Sequence, residues 1–215
     1  MTQVRTVDGR IAGRRGQETR ARLLECLAEL LAARSYRDVT VIDVARDAGT
    51  SPATFYQYFP DIEAAILELA ADVVKEAAEL KELAAERSWA GRAGTVSATE
   101  LVNGLMDFWQ EHDSILRVVD LAAAEGDKRF TRHRMRVLDA VHKALSTAIT
   151  ELQRSGKLER EVPAAATAGA LVTMLAASAA HPKSFESWAV KDRDLRNALI
   201  RLVTWGVTGK KPTTV

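Results

Sequence analysis

Four of the chain's 12 aromatic residues fall within five positions, Phe55-Tyr56-Gln57-Tyr58-Phe59, a spacing that can separate ring burial from hydroxyl presentation. On a helix, Phe55 and Phe59 stand one turn apart and pack inward, while Tyr56 and Tyr58 carry their phenol hydroxyls outward, where they can donate to phosphate oxygens. Thr40 and Ser51 stand at the starts of two short segments. A hydroxyl and free backbone amides at a helix start occupy the positive end of the helix dipole and form an anion site. Pro52, Ala53 and Thr54, between Ser51 and the aromatic run, are small enough for a helix N-terminus to enter a major groove and meet thymine methyls, or to donate and accept through a hydroxyl. A duplex backbone and its groove fit this chemistry.

Helical periodicity dominates the elements that must position these residues. Leu23, Leu24, Leu27, Leu30 and Leu31 recur on one face and predict a first helix over about 17–34. Thr40 reads as an N-cap, with Asp43 three residues on completing a capping-box-like arrangement. The helix it opens turns Val41, Val44, Ala45 and Ala48 inward and stops at Gly49, which tolerates positive φ. Ser51-Pro52 then starts a third short helix that ends near Phe59-Pro60, so that the pair forms a helix-turn-helix pattern. A longer helix follows from about 61, with Ile62, Ile66, Leu69, Val73, Ala77, Leu80 and Ala84 on one face and an acidic outer face. Gly91 and Gly94 loosen the stretch 88–95, and further helices are expected over 97–111, 113–125, 127–154, 163–180 and 192–207. A loop holding Pro182, Phe185 and Trp188 separates the last two. No segment alternates as a strand would, so the expected class is all-α, with about nine helices.

The run Thr40-Val-Ile-Asp-Val-Ala-Arg-Asp-Ala-Gly-Thr-Ser-Pro-Ala-Thr-Phe-Tyr-Gln-Tyr-Phe-Pro60 resembles the DNA-binding signature of TetR-type (tetracycline-repressor-like) transcription regulators, over roughly residues 17 to 70. Beyond that the likeness is one of all-helical architecture and length. The resemblance implies that Ser51 and Tyr56 contact phosphates, that Pro52, Ala53, Thr54 and Gln57 face the groove, that Tyr58 takes a backbone-contacting position, and that Thr40 clamps a phosphate. One departure concerns the start of the fourth helix, where the family usually reads Ser-Lys-Glu and the lysine reaches a phosphate. Asp61-Ile62-Glu63 stand here instead, a loss expected to weaken backbone affinity and shift its salt dependence by about one charge. Arg14 and Arg15, in an arginine-rich arm, are candidates to compensate at the adjacent minor groove or its phosphates.

By the same resemblance the chain divides into a flexible basic arm (1–16), a helix-turn-helix domain (17–62), a regulatory ligand-binding and dimerisation domain (63–208) and a tail (209–215). Met106, Phe108, Trp109, Leu116, Val119, Phe130, Leu138, Val141 and Met174 are large apolar residues on different expected helices, and an apolar pocket built from such side chains suits a hydrophobic small-molecule effector. Trp109 stands out because a flat ring with a donor N–H defines a cavity. Gly169, Val172 and Ala176, with Leu195, Leu199, Leu202 and Trp205 on the final helix, are expected to pair with their symmetry mates. The resulting homodimer would place two reading helices about 34–36 Å apart on a pseudo-palindromic operator in double-stranded DNA. The implied activity is that of a repressor released by its ligand; a constitutive or partner-controlled DNA-binding dimer is the alternative.

Composition agrees with a soluble globular chain of one or two domains: 215 residues, 47% hydrophobic and 27% charged. A single cysteine excludes a disulfide framework and a Cys-based zinc site, which points to a reducing cytoplasm. The formal net charge of +1 hides an uneven distribution: the first 22 residues carry six arginines against Asp8 and Glu18. No apolar leader of the secretory kind is read at the N-terminus. Residues 162–180 are uncharged, but their alanines, threonines and glycine suit a buried or interface helix rather than a membrane span. Enzyme chemistry finds no support, because there is no glycine-rich phosphate loop, no His-Glu-x-x-His and no i, i+4 pairing among the four histidines. No cofactor or metal is expected. Cys26, in the leucine-rich first helix, reads as a small buried hydrophobe rather than a nucleophile.

Overall fold

A computed structural model describes residues 6–9, 13–85, 87–161 and 163–210. Among these, ten α-helices and two 3-10 turns account for the regular structure. The helices are α1 (Arg14–Ala33), α2 (Val41–Asp47), α3 (Pro52–Tyr58), α4 (Ile62–Ala77), α5 (Arg92–Glu111), α6 (Asp113–Ala124), α7 (Lys128–Arg154), α8 (Ala164–Ala180), α9 (Pro182–Ser187) and α10 (Asp192–Thr208). The 3-10 turns cover Tyr36–Asp38 and Ala78–Leu83. One helix exceeds the number expected: α9 occupies the stretch read as a loop, where Pro182 opens a helix of only six residues, too short to show a period. A second difference is the start of α5 at Arg92. Gly94 does not loosen the chain but permits close packing, since a Cβ there would lie 2.6 Å from the Trp89 carbonyl oxygen.

The chain divides into two compact units, Met1–Val73 with Asp113–His133, and Val74–His112 with Arg134–Val215. This differs from the contiguous division at 62/63. Sequence order conceals the difference because α6 and the first turn of α7 return to the N-terminal unit after an intervening segment. In that unit α1 packs on α2, α3 and α6, and α2 packs on α3. Leu23, Cys26, Leu27 and Leu31 form the buried stripe of α1, with Val44, Ala45, Phe55, Phe59 and Ile66 also buried, while Leu24 and Leu30 lie at its half-exposed margins. Fully burying side chains of this size stabilises a fold by about 1.5–3 kcal/mol each. At the C-terminal end of α1 the Arg117 guanidinium donates to the Leu31 carbonyl at 3.1 Å and holds Asp113 at 2.8 Å, a cation where the helix dipole is negative.

In the other unit α5 packs on both α8 and α10, which also pack on each other. Leu101, Val102 and Leu105 of α5 are fully buried, and Leu195, Leu199, Val203 and Val207 line α10 at every fourth residue. Gly206 lets α10 approach α8, because a Cβ there would meet Leu171 Cδ2 at 3.0 Å. No helix among the described residues is long and apolar enough to cross a membrane. Arg196 ties α10 to α5: Nη2 donates to Asp107 at 2.8 Å, Nη1 to Asn103 Oδ1 at 3.2 Å, and Nε to Asp192 of its own helix at 2.9 Å. Partial burial of Arg196 opposes its charge, but the hydrogen bonds to Asp107 and Asp192 outweigh that and hold its pKa above the ordinary arginine value. Arg196→Ala is expected to lower unfolding stability by about 1–3 kcal/mol. Arg196→Lys, which cannot reproduce the fork, should fall between the two in urea denaturation.

Candidate nucleic-acid interface

The reading elements are two helices of seven residues, α2 and α3. Helices so short do not persist alone, because nucleation costs more than the few hydrogen bonds return. Caps and core therefore hold them. Thr40 and Asp43 form a complete capping box: Thr40 Oγ1 accepts from the Asp43 amide at 3.2 Å, and the Thr40 amide donates to Asp43 Oδ2 at 3.2 Å. The Thr40 hydroxyl also donates to Asp43 Oδ2 at 2.7 Å. Its donation to that carboxylate lowers the Asp43 pKa; burial opposes the shift, and the Thr40 amide, Arg34 and Arg46 reinforce it. Arg34 and Arg46 stand 3.2 and 3.0 Å away. Gly49 makes the turn at φ +67°, a conformation that costs other L-residues about 1–2 kcal/mol. Ser51 caps α3, accepting from the Thr54 amide at 3.2 Å, with Pro52 in its first turn.

Phe55 and Phe59 are buried with ring centroids 5.3 Å apart, and the Arg20 guanidinium lies 5.1 Å over the Phe59 ring. Arg20 also pairs with Glu68. This anchor leaves the opposite face of α3 outward: Ser51, Pro52, Ala53, Tyr56 and Gln57 are exposed, and Thr54 and Tyr58 are half-buried. Tyr56 is 51% exposed. Its ring stands edge-on to Phe55 at 5.8 Å. The structure thus brings Thr40, Ser51, Pro52, Ala53, Thr54, Tyr56, Gln57 and Tyr58 together on α2, the turn and α3. Ile42, 65% exposed in the first turn of α2, joins that surface and is not singled out by the sequence. Its only signal there is a place one residue off the inward positions Val41, Val44 and Ala45.

The basic arm needs correction. Helix α1 begins at Arg14, so Arg14 and Arg15 are helical first-turn residues rather than part of a flexible segment reaching 16. Arg14 pairs with Glu18 at 3.1 Å, one turn on. Arg5 and Arg10 lie outside the described residues. Residues 6–9 run beside the C-terminal end of α3, where the Val7 amide donates to the Gln57 carbonyl at 2.8 Å, an oxygen with no later helical amide to receive it.

The expected effector residues separate between the two units. Leu116, Val119 and Phe130 are buried in the N-terminal one; in the other, Met106 and Trp109 are buried, and Leu138 and Met174 half-buried. These seven residues therefore do not line one pocket within a single unit, because large apolar side chains on different helices serve a core as readily as a cavity wall. A cavity of about 100 Å³ is lined instead by Trp89, Ala90, Gly91, Leu152, Lys157, Thr204, Thr208 and Lys210. The dimer residues also divide. Val172, Ala176, Leu195 and Leu199 are buried inside the chain itself and Gly169 is half-buried, whereas Leu202 is 47% and Trp205 56% exposed. Helical spacing marks an apolar face without saying which of two apolar faces is the inner one. The outward face of α8 carries Ala166, Ala170, Thr173 and Ala177.

The family described as "Bacterial regulatory proteins, tetR family" matches residues 23–69, and "Tetracyclin repressor-like, C-terminal domain" matches residues 80–214, more than half of the chain. A relative named HTH-type transcriptional regulator EthR, from Mycolicibacterium smegmatis (strain ATCC 700084 / mc(2)155), is 38% identical over 77 residues, which cover 35% of this chain and 36% of that protein. The match therefore spans about a third of that relative's length. Among solved structures, the fatty acid degradation regulator FadR from Bacillus halodurans superposes with a TM-score of 0.66 at 14% identity, over 95% of this chain and 100% of that one. A tetR-family transcriptional regulator from Streptomyces coelicolor does so with 0.62 at 17%, over 87% and 79%. At these identities the structures share the fold.

Two substitutions separate anchor from surface. Phe55→Ala is expected to lower unfolding stability by about 3–5 kcal/mol, whereas Tyr56→Phe should leave the denaturation midpoint unchanged and weaken duplex binding. A third concerns acid. A carboxyl whose pKa is depressed on folding adds stability above its unfolded value, and loses it as pH falls through the folded one. The stability advantage of the native chain over Asp43→Asn should accordingly be full at neutral pH. It should shrink as pH drops below the ordinary carboxyl value of 3.8, as followed by denaturation at a series of acidic pH values.

Proposed function

Because the chain belongs to the TetR family of bacterial regulatory proteins, a family of DNA-binding transcriptional regulators rather than enzymes, we propose that it is a homodimeric cytoplasmic repressor that occupies a pseudo-palindromic operator and leaves it when a hydrophobic small molecule binds. The observation that carries this reading is the two-sidedness of α3: Phe55 is sealed in the core while Pro52, Ala53, Tyr56 and Gln57 are exposed at a capped helix start. In this reading Ala53, Thr54 and Gln57 meet base edges, and Thr40, Ser51, Tyr56 and Tyr58 hold phosphates. Arg15, in the first turn of α1, adds a cation to the flank, with Arg14 shared with Glu18.

Leu202 and Trp205 support the dimer, being large apolar side chains exposed on α10, next in sequence to inward residues that complete the chain's own core. The alanine face of α8 gives two copies of that helix room for close approach. Trp109 supports the effector. Its ring is 4% exposed, yet its indole N–H has no hydrogen-bond partner, and a donor stranded this way costs about 1–3 kcal/mol. An apolar ligand bearing one carbonyl or hydroxyl would satisfy it. Ligand and operator then oppose each other by linkage: whatever factor the ligand takes from DNA affinity, DNA takes from ligand affinity.

Selection of bound duplexes from a random pool, at two salt concentrations, tests this function. A recovered pseudo-palindrome with half-sites one helical turn apart is the expected result, and binding that only collapses with salt and yields no motif would overturn it. Leu202→Glu/Trp205→Glu should sediment as a monomer and bind the recovered site at least about a hundredfold more weakly. This follows because a lone half-site forfeits the second set of contacts.

A further inference from the structure

Binding duplex DNA requires cations at the phosphates, yet the carboxylates of the N-terminal unit hold most of its arginines. Arg14 pairs with Glu18, Arg20 with Glu68, Arg22 with Glu25, Arg34 and Arg46 with Asp43, Arg37 with Glu125, and Arg117 with Asp113. Between Asp47 and Val73 there is no lysine or arginine at all. Three cations among the described residues of this unit have no carboxylate partner: Arg15 at the start of α1, and Lys128 and Arg132 at the start of α7.

The α7 segment is the most basic stretch of the chain. Residues 128–138 hold Lys128, Arg129, Arg132, Arg134 and Arg136 with no aspartate or glutamate. Helical geometry puts Lys128 and Arg132 one above the other, away from Phe130, which is fully buried and fixes that face outward. Both cations are exposed. The helix start is also capped. The Asp127 side chain accepts from the Arg129 amide at 2.7 Å and from its guanidinium at 2.8 Å, which pulls the Asp127 carboxyl down to about 2.

The surroundings of this start are those of the reading motif. Glu125, just before α7, pairs with Arg37, three residues ahead of the Thr40 cap of α2. Asp61 and Glu63 follow α3 and open α4. Glu63 in turn accepts from the Tyr36 hydroxyl at 3.2 Å. The first turn of α7 therefore stands beside the start of α2 and the start of α4, the two elements that flank the reading helix.

We propose that the start of α7 is a second phosphate-binding surface, on which Lys128 and Arg132 hold the duplex backbone at the flank of the site read by α3. This inference rests on the DNA-binding reading above. It supplies from α7 the cations that the acidic start of α4 lacks. Arg129, held by Asp127, is the fixed member of the patch, and the other two are the ones free to reach.

The test compares the full chain with Lys128→Ala/Arg132→Ala, both side chains being exposed, on the selected duplex over a range of salt. The slope of log K against log salt is expected to fall by about 0.9 for each phosphate no longer neutralised, and affinity at low salt by tenfold or more. Lys128→Arg/Arg132→Lys should restore both, and an unchanged melting temperature separates this loss from unfolding. Lys191→Ala/Arg193→Ala, which removes two cations from the other unit, should leave the slope unchanged; an equal loss there would reduce the effect to net charge and overturn the proposal. A double variant with native affinity and slope on a duplex that the native chain binds specifically would overturn the α7 surface while leaving the DNA-binding reading intact. Failure of the native chain to bind any duplex would overturn both.

Discussion

The burial of Phe55 and Phe59 is the constraint on which the recognition surface depends. A seven-residue helix has almost no stability of its own, and here every residue turned toward solvent is small, polar or a tyrosine, none of which would fix its orientation. The two phenylalanine rings, tilted at 47° with centroids 5.3 Å apart and buried as Leu23, Leu27 and Val44 are, determine which residues of α3 face out. Rotating α3 by one position would expose a phenylalanine and bury Gln57, an amide that would need partners there. Apolar packing thus sets the register of polar recognition, and the two caps at Thr40 and Ser51 only trim its ends.

Charge in the same unit is organised around that packing. Asp43 serves two roles at once, as the reciprocal half of the capping box and as the acceptor for Arg34 and Arg46. The exposed pairs of this unit, such as Arg14–Glu18 and Arg22–Glu25, add little to stability individually; their larger effect is to remove arginines from the pool available to an anion. Unpaired cations consequently matter more than the net charge of +1 suggests, and among the described residues of this unit they occur at or near two helix starts, α1 and α7. Arg15 and Lys128 are first-turn residues, where backbone amides already favour an anion, and Arg132 stands one turn further on the same face as Lys128.

How far the sequence discloses this varies with the kind of signal. The α2–α3 motif is legible residue by residue because its determinants are local: an N-cap hydroxyl, a capping acid three residues on, a glycine at positive φ, and a proline after a serine. Helix α9 is not legible, since six residues carry no period, and the early start of α5 is hidden because Gly94 reads as a breaker until the Trp89 carbonyl beside it is seen. The interface set divides between buried and exposed residues for a different reason. The outer face of α8 is itself rich in alanine, and on α10 Leu202 and Trp205 stand exposed among Arg193, Asn197 and Arg201, so Leu199 and Leu202 look alike in sequence although only the second is exposed. The basic start of α7 is visible in the sequence, but its relevance is not. Only the fold returns residues 113–133 to the N-terminal unit, beside a motif seventy residues earlier.

The same topology bears on control. Two of the three unit boundaries fall inside helices, between Val73 and Val74 in α4 and between His133 and Arg134 in α7, and the third falls at the α5–α6 junction between His112 and Asp113. A continuous helix transmits displacement far better than a flexible linker, because bending it breaks or stretches consecutive backbone hydrogen bonds. Helix α4 begins directly after the recognition helix, and α7 begins with the unpaired cations. The helix read as base-contacting and the proposed phosphate surface thus lie next to the two helices that run on into the other unit.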